Sequence, residues 1–189
     1  MKSVWPKRFW PIALVIGTAG LLRIFYLGLW GNPSYIPPVI LQTPAPDFTA
    51  PELYGKGDIS LSQFRGKVVL LNFWASWCKE CKLEHVALLE INERFADNPN
   101  FVMIGVNYQD QEAAAKEYLK EHGNNFRHVQ DVKGTLSIDY GIYGVPETFV
   151  IDAQGVIRHK AIGPIIGANY PKLLDQVIVP LLAGLPPIP

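Results

Sequence analysis

Apolar residues crowd the first thirty positions and then fall into short runs separated by polar turns. Phe9 to Leu22 reads as apolar, Arg23 interrupts, and Ile24 to Trp30 continues apolar. As a helix, Phe9–Trp30 would reach roughly 33 Å, enough to cross a bilayer. Arg23 would then lie near the outer end, where its long stem snorkels toward headgroups. Lys2, Lys7 and Arg8 precede the run, and such a cationic start stays in the cytoplasm while the remainder is exported. Residues 1–30 are therefore expected to form a signal anchor. A cleaved signal peptide, with Gly17-Thr18-Ala19 as a poor processing site, is the alternative, and it exports the remainder equally well.

Gly31 to Pro46 holds Pro33, Pro37, Pro38, Pro44 and Pro46. This composition predicts a semi-rigid spacer over 31–46, with packing along the domain surface as the plainer alternative. From Asp47 to the end the pattern is that of one compact domain, 47–189. Phe48 to Leu61, broken by Tyr54-Gly55-Lys56-Gly57-Asp58, predicts a hairpin. Val68 to Trp74 is a continuous apolar run, as in a strand covered on both faces. The pattern then predicts a helix over Cys78–Phe95, a strand over Phe101–Val106, and a helix over Gln111–His122 ended by Gly123. A short helix over Lys133–Tyr140 follows, then a hairpin of Thr148–Asp152 with Val156–Ala161, then a helix over Ala168–Leu182 interrupted near Pro180. Strand and helix alternating before a late hairpin imply an α/β fold whose mixed sheet has helices on both faces.

Composition narrows the chemistry. Lysine plus arginine and aspartate plus glutamate are 17 each in 189 residues, which removes the electrostatic case for nucleic acid. Two cysteines are too few for a disulfide scaffold, so their placement matters more than their number. Trp74-Ala75-Ser76-Trp77-Cys78-Lys79-Glu80-Cys81 follows the buried strand and opens a helix. At a helix start, free N–H groups and the dipole favour negative charge, and a cysteine there is depressed from about 8.5 toward roughly 3.5–7.5. Cys78 is thus the expected nucleophile. Cys81, one turn in, is the resolving thiol and is expected to be the more buried.

Competing readings are weaker. A structural zinc site takes four ligands, and beside two cysteines stand only the scattered His85, His122, His128 and His159. Haem attachment requires histidine after the second cysteine, where Lys82 stands. A static disulfide remains open for an exported protein. Further on, Gly144-Val145-Pro146-Glu147-Thr148-Phe149 places a proline before β-formers. Plainly read, it starts a strand. A cis Val145–Pro146 bond would instead set an open backbone edge beside Cys78, although base rates favour trans.

The WCxxC box after an apolar strand, with Gly-x-Pro before the late hairpin, resembles the thioredoxin superfamily. The longer segments WASWCKECKLEH, GVNYQDQEAAAKEYLKEHGNNF and YGVPETFVID are similar to the DsbE/CcmG family of membrane-anchored, thioredoxin-like proteins of cytochrome c maturation, over about residues 41–183. The resemblance implies a thioredoxin-like fold with an N-terminal hairpin extension, a cis Pro146, and no cofactor. It implies reduction of apocytochrome c cysteines, in CxxCH motifs, so that haem can be attached. Electrons would come from a membrane thiol-electron carrier, and the haem-ligation machinery would be a further partner. The location implied is the bacterial inner membrane, single-pass, with the catalytic domain on the periplasmic side. An acidic surround is carried onto Glu84 and Glu147, and the substrate-contacting set becomes Trp77, Val145, Pro146 and Glu147. Glu84 lies three residues past Cys81, on the same helix face, where a carboxylate can take the Cys81 proton. The plain readings are an exposed helix glutamate and a polar strand-edge residue. Lys79-Glu80 departs from the family, which carries proline after the first cysteine, and their opposed charges leave the redox potential open.

Three other activities stay in view. A general extracytoplasmic reductase would share the chemistry with broader substrates. A thiol peroxidase uses a lone cysteine in a proline- and threonine-rich loop, unlike Trp77-Cys78. A binding or assembly module would use Trp77 and the Pro146 edge without turnover.

Overall fold

The computed structural model describes residues 10–30, 41–55 and 57–188, the stretch 27–30 by its backbone. The chain divides into two units, residues 1–39 and 40–189. In the first, α1 (Trp10–Trp30) is a 21-residue helix whose side chains are exposed from Trp10 to Tyr26. Among the described residues, no helix is long and apolar enough to cross a membrane. The cationic start, Phe9 and residues 31–40 of the expected spacer lie outside the described residues.

The second unit is built on β3 (Val68–Trp74), a strand with all seven side chains buried. β3 runs parallel to β4 (Phe101–Tyr108), which runs parallel to β5 (Arg127–Asp131). On its other side β3 pairs antiparallel with β6 (Glu147–Ile151), and β6 with β7 (Ile157–Ile162). The order is β5-β4-β3-β6-β7, the mixed α/β sheet that the sequence pattern implies. Side chains alternate across a strand. Val69, Leu71 and Phe73 therefore join Phe48, Ile59, Tyr140 and Phe149 on one face. Val68 and Leu70 join Leu88, Ile91, Met103, Ile165, Val177 and Ile178 on the other. The first face is covered by the hairpin of β1 (Thr49–Pro51) with β2 (Asp58–Ser60) and by α4 (Thr135–Asp139). The second is covered by α2 (Lys79–Arg94), with α3 (Glu112–His122) adding Ala115, Tyr118 and Leu119 around Trp74.

Two points depart from the sequence reading. β5 was not predicted: Arg-His-Val-Gln-Asp has one aliphatic residue and no alternation to mark it, yet His128 and Val129 are buried. The domain begins before Asp47. Residues 42–45 pair with the turn and start of β7, through Gln42 N–H to Ile157 O (2.8 Å), Ile157 N–H to Thr43 O (3.0 Å) and Ala45 N–H to Gly155 O (2.9 Å), and Ala45 enters the core. This part of the expected spacer packs because its backbone finds partners on an open sheet edge. The last helix is interrupted next to Pro180, as expected, by a π-helical turn. α5 (Asn169–Leu173) passes through a π-helical turn, Leu174–Ile178, into α6 (Val179–Leu182). Pro180 lacks the N–H that would reach Gln176, and Ile188 N–H takes that carbonyl at 2.7 Å.

Tyr140 closes the first face. Its ring lies 5.4 Å from Phe73 and 5.2 Å from Phe149, and its hydroxyl donates to Pro46 O at 2.8 Å. Tyr140→Phe should cost about 1 kcal/mol for the lost hydrogen bond, and Tyr140→Ala about 3–5 kcal/mol for the cavity. Urea denaturation of both variants checks this; equal losses would show that the ring contributes nothing beyond its hydroxyl.

Candidate active site

The chain leaves β3 at Trp74 and must turn outward before α2 can begin. One carboxylate holds that turn. Asp110, just past β4, accepts from Ser76 N–H (2.6 Å), Ser76 O–H (2.9 Å), Asn107 Nδ2 (3.0 Å) and Gln111 N–H (2.8 Å). Sequence reasoning missed Asp110; its signal was an acidic residue directly before a helix. The adjoining Trp77 is 57% exposed, with Nε1 donating to Gln109 O at 3.3 Å and its ring 6.3 Å from Tyr108.

Cys78 caps α2. Its backbone is extended (φ −82°, ψ 119°), and its Sγ accepts the Cys81 N–H at 3.0 Å. A sulfur in this position takes the place of a capping oxygen and satisfies one of the helix's free donors. In the reduced protein the same N–H and dipole stabilise a Cys78 thiolate. Cys78 and Cys81 are joined in a disulfide, with Cα atoms 5.3 Å apart. The expected difference in their burial is not found: Cys78 is 2% and Cys81 3% exposed. Cys78 is covered because Val145 O lies 3.5 Å from its Sγ. The sulfur carries no proton in the disulfide, so this is a packing contact.

The Val145–Pro146 bond is cis. β6 runs antiparallel to β3 with Glu147 opposite Phe73, so the residue before β6 falls at the end of β3, beside Cys78. The structure thus gathers Cys78, Cys81, Val145 and Pro146, with Trp77 on the rim.

The two glutamates are not the exposed groups of the plain readings. Glu84 is fully buried. Alternation sends Asn72 of β3 to the α2 side, where its Nδ2 donates to Glu84 Oε1 (2.8 Å) and to Thr148 Oγ1 (3.0 Å). Ile165 N–H donates to Glu84 Oε2 at 2.7 Å. Burial pushes the Glu84 carboxyl up to about 7, against the downward pull of the Ile165 and Asn72 hydrogen bonds. Glu147 is also buried; its Oε1 accepts Tyr143 N–H at 2.9 Å and its Oε2 lies 2.8 Å from Lys160 Nζ.

Behind the site, Trp74 packs on His128 with ring centroids 5.2 Å apart. Both need Gly105 of β4: a Cβ there would sit 2.3 Å from His128 Nδ1 and 2.8 Å from Trp74 Nε1. Burial lowers His128 to about 3, so it stays neutral. Among the described residues no group of three or more His, Cys, Asp or Glu side chains is placed to hold a metal ion.

A dithiol pair at the start of a helix, beside a cis-proline loop at the end of a mixed sheet's central strand, defines a thioredoxin-like thiol–disulfide oxidoreductase. Comparison with known proteins agrees. The model of the AhpC/TSA family matches residues 41–160. The thiol:disulfide interchange protein DsbE of Pseudomonas fluorescens biotype C is 37% identical over 175 residues, covering 88% of this chain and 94% of its own. DsbE of Allochromatium vinosum is 34% identical over 188 residues, covering 98% and 100%. Among solved structures, a Chlorobium tepidum protein assigned as a thiol:disulfide interchange protein DsbE superposes with a TM-score of 0.67 at 30% identity, over 74% of this chain and 95% of that one. The chain belongs to the AhpC/TSA family and, within it, to the DsbE thiol:disulfide interchange proteins.

The Glu84 carboxyl titrates higher in the folded protein than its ordinary 4.5, so the folded state holds this proton more tightly. Its stabilisation is fully present below pH 4.5 and is lost as pH rises through about 7. His128 works oppositely, contributing above 6.5 and losing that contribution in acid. The clean measurement is therefore a difference between proteins. Between pH 4.5 and 7 the wild type should lose about 3 kcal/mol relative to Glu84→Gln. Denaturant midpoints of both oxidised proteins across that range test it, and parallel curves would refute the assignment.

Proposed function

We propose that this oxidoreductase reduces the CxxCH disulfides of apocytochrome c, readying them for haem attachment. The observation that carries the exchange chemistry is the Cys78 sulfur at the start of α2, accepting the Cys81 N–H and facing Val145 O. The narrower substrate is supported by the membership in the DsbE proteins and by the segments around Cys78, Cys81 and Pro146. Cys78 thiolate attacks one sulfur of the substrate disulfide, and the other sulfur leaves as a thiolate. Cys81 then attacks Cys78 Sγ, the substrate departs with both sulfurs reduced, and the protein is left with the Cys78–Cys81 bridge. Glu84, one helical turn beyond Cys81, takes the Cys81 proton, for which a carboxyl near 7 is suited. Trp77, Val145 and Pro146 meet the substrate chain, with Glu147 supporting that edge from within. A membrane thiol carrier returns two electrons to the bridge, and the haem-ligation machinery takes the reduced product.

Residues 1–30 anchor the protein in the inner membrane and the domain works on the periplasmic side. Support for this comes from the cationic start and the apolar run of the sequence. A broader extracytoplasmic reductase is the second reading, favoured by the exposed Lys79 and Glu80 where the family has proline after the first cysteine.

Cys78→Ser should abolish reduction of a CxxCH peptide disulfide, whereas Cys81→Ser should trap the peptide as a mixed disulfide visible on a non-reducing gel. Turnover by either variant would overturn the mechanism. Restoration of cytochrome c assembly in a deletion strain by the wild type, and failure by Cys78→Ser, separates the two substrate readings. The reduction potential should lie near roughly −270 mV, as for a reductant, rather than near −120 mV. Alkaline carbonate extraction should leave the full chain in the membrane fraction, and release of the intact chain would remove the anchor.

A further inference from the structure

Lys160 is a cation with almost no access to water: its side chain is 3% exposed, and that of its partner Glu147 is 1% exposed. Register explains why they meet. Lys160 of β7 lies opposite Phe149 of β6, and Glu147, two residues from Phe149, points to the same face of the sheet. The ammonium donates to Gly141 O at 2.9 Å. Glu147 Oε2, at 2.8 Å, is a charge contact rather than an aligned hydrogen bond. The same nitrogen lies 5.0 Å from the Tyr143 ring centroid and 5.1 Å from that of Phe149, within cation–π range. Glu147 Oε1 in turn accepts Tyr143 N–H at 2.9 Å.

Apart from that to Phe149, these contacts fall on the short loop 141–146 and on Glu147, the first residue of β6 after it. Gly141, held in the left-handed region at φ 59°, is tied at the loop's beginning, Tyr143 in its middle and Glu147 at its end. Between the ties stand the exposed Tyr143 ring and Val145, whose carbonyl lies 3.5 Å from Cys78 Sγ. A loop that must receive a protein chain beside a reacting sulfur needs its backbone fixed in advance. A desolvated ion pair does this more firmly than surface contacts do, because separating the partners leaves a charge buried without compensation.

We propose that Lys160 is a positioning residue for protein substrates. Paired with Glu147, it holds loop 141–146 in the shape that receives the polypeptide flanking the attacked disulfide, and it takes no part in sulfur chemistry. The inference rests on thiol–disulfide exchange alone and not on which protein is reduced. A small disulfide, which has no flanking chain, does not need the loop.

The test is single-turnover oxidation of the reduced full-length protein by a disulfide-bonded Cys-x-x-Cys-His peptide and by hydroxyethyl disulfide. Lys160→Met should raise the half-saturating peptide concentration about tenfold while the limiting rate changes less than twofold, and should leave the hydroxyethyl disulfide rate within twofold. Lys160→Arg, which keeps the cation, should recover most of the peptide affinity. If Lys160→Met does not fold, Lys160→Gln, which removes the cation but leaves an amide donor beside Glu147, should raise the half-saturating peptide concentration in the same direction with the hydroxyethyl disulfide rate again within twofold. Equal slowing of both disulfides, or an unchanged half-saturation, would overturn the proposal. Failure of the wild type to react with the peptide would instead count against the substrate reading above.

Discussion

Full burial of β3 on both faces is the constraint from which the rest follows. A strand with seven covered side chains cannot be left until its backbone reaches a place where polar groups are satisfied. That place is the end at Trp74, where Asp110 collects the donors of the outgoing turn. The helix that covers the strand must then begin beside its C-terminal end. Its cap, Cys78, therefore stands at the end of the sheet, packed with Trp74 and Ala75 on one side and covered by Val145 of the cis-proline loop on the other. Reactivity and burial are reconciled by that loop.

The site separates two jobs by environment. Sulfur at a helix start sees aligned N–H groups, which favour its anion. Glu84, one turn beyond Cys81 and under the sheet, sees a medium that disfavours its anion, offset by two donated hydrogen bonds. In the proposed mechanism the helix start serves the attacking Cys78, and a carboxyl held near 7 serves the proton of Cys81. Asn72 makes the second environment possible, and it is a polar residue in an otherwise apolar strand because alternation turns it toward α2.

Much of this was legible in the chain. The apolar run 68–74, the helix formers after Cys78 and the turn at Gly155 each announce their element by local pattern. β5 does not, because its burial comes from His128 packing edge-to-face against Trp74, a tertiary contact with no counterpart in periodicity. The packing of residues 42–45 escaped for a related reason: proline-rich sequence reports stiffness, while pairing with β7 depends on an edge formed more than a hundred residues later. The burial of Glu84 and Glu147 was hidden too. Each is charged, and only the register of β3, β6 and β7 brings the Asn72, Ile165 and Lys160 partners that let it enter the interior. Asp110 looked like an ordinary residue before a helix, and only the fold shows it gripping Ser76.

Gly105 carries a consequence for how this lineage can change. The space above it is shared by an imidazole and an indole contributed by the two neighbouring strands. A larger residue at 105 has no room while both rings remain, and a smaller ring at 128 or 74 would leave a hole that only a larger residue at 105 could fill. The three positions therefore form a steric unit that must drift together. A side chain can be added at 105 only if the imidazole or the indole gives up its place.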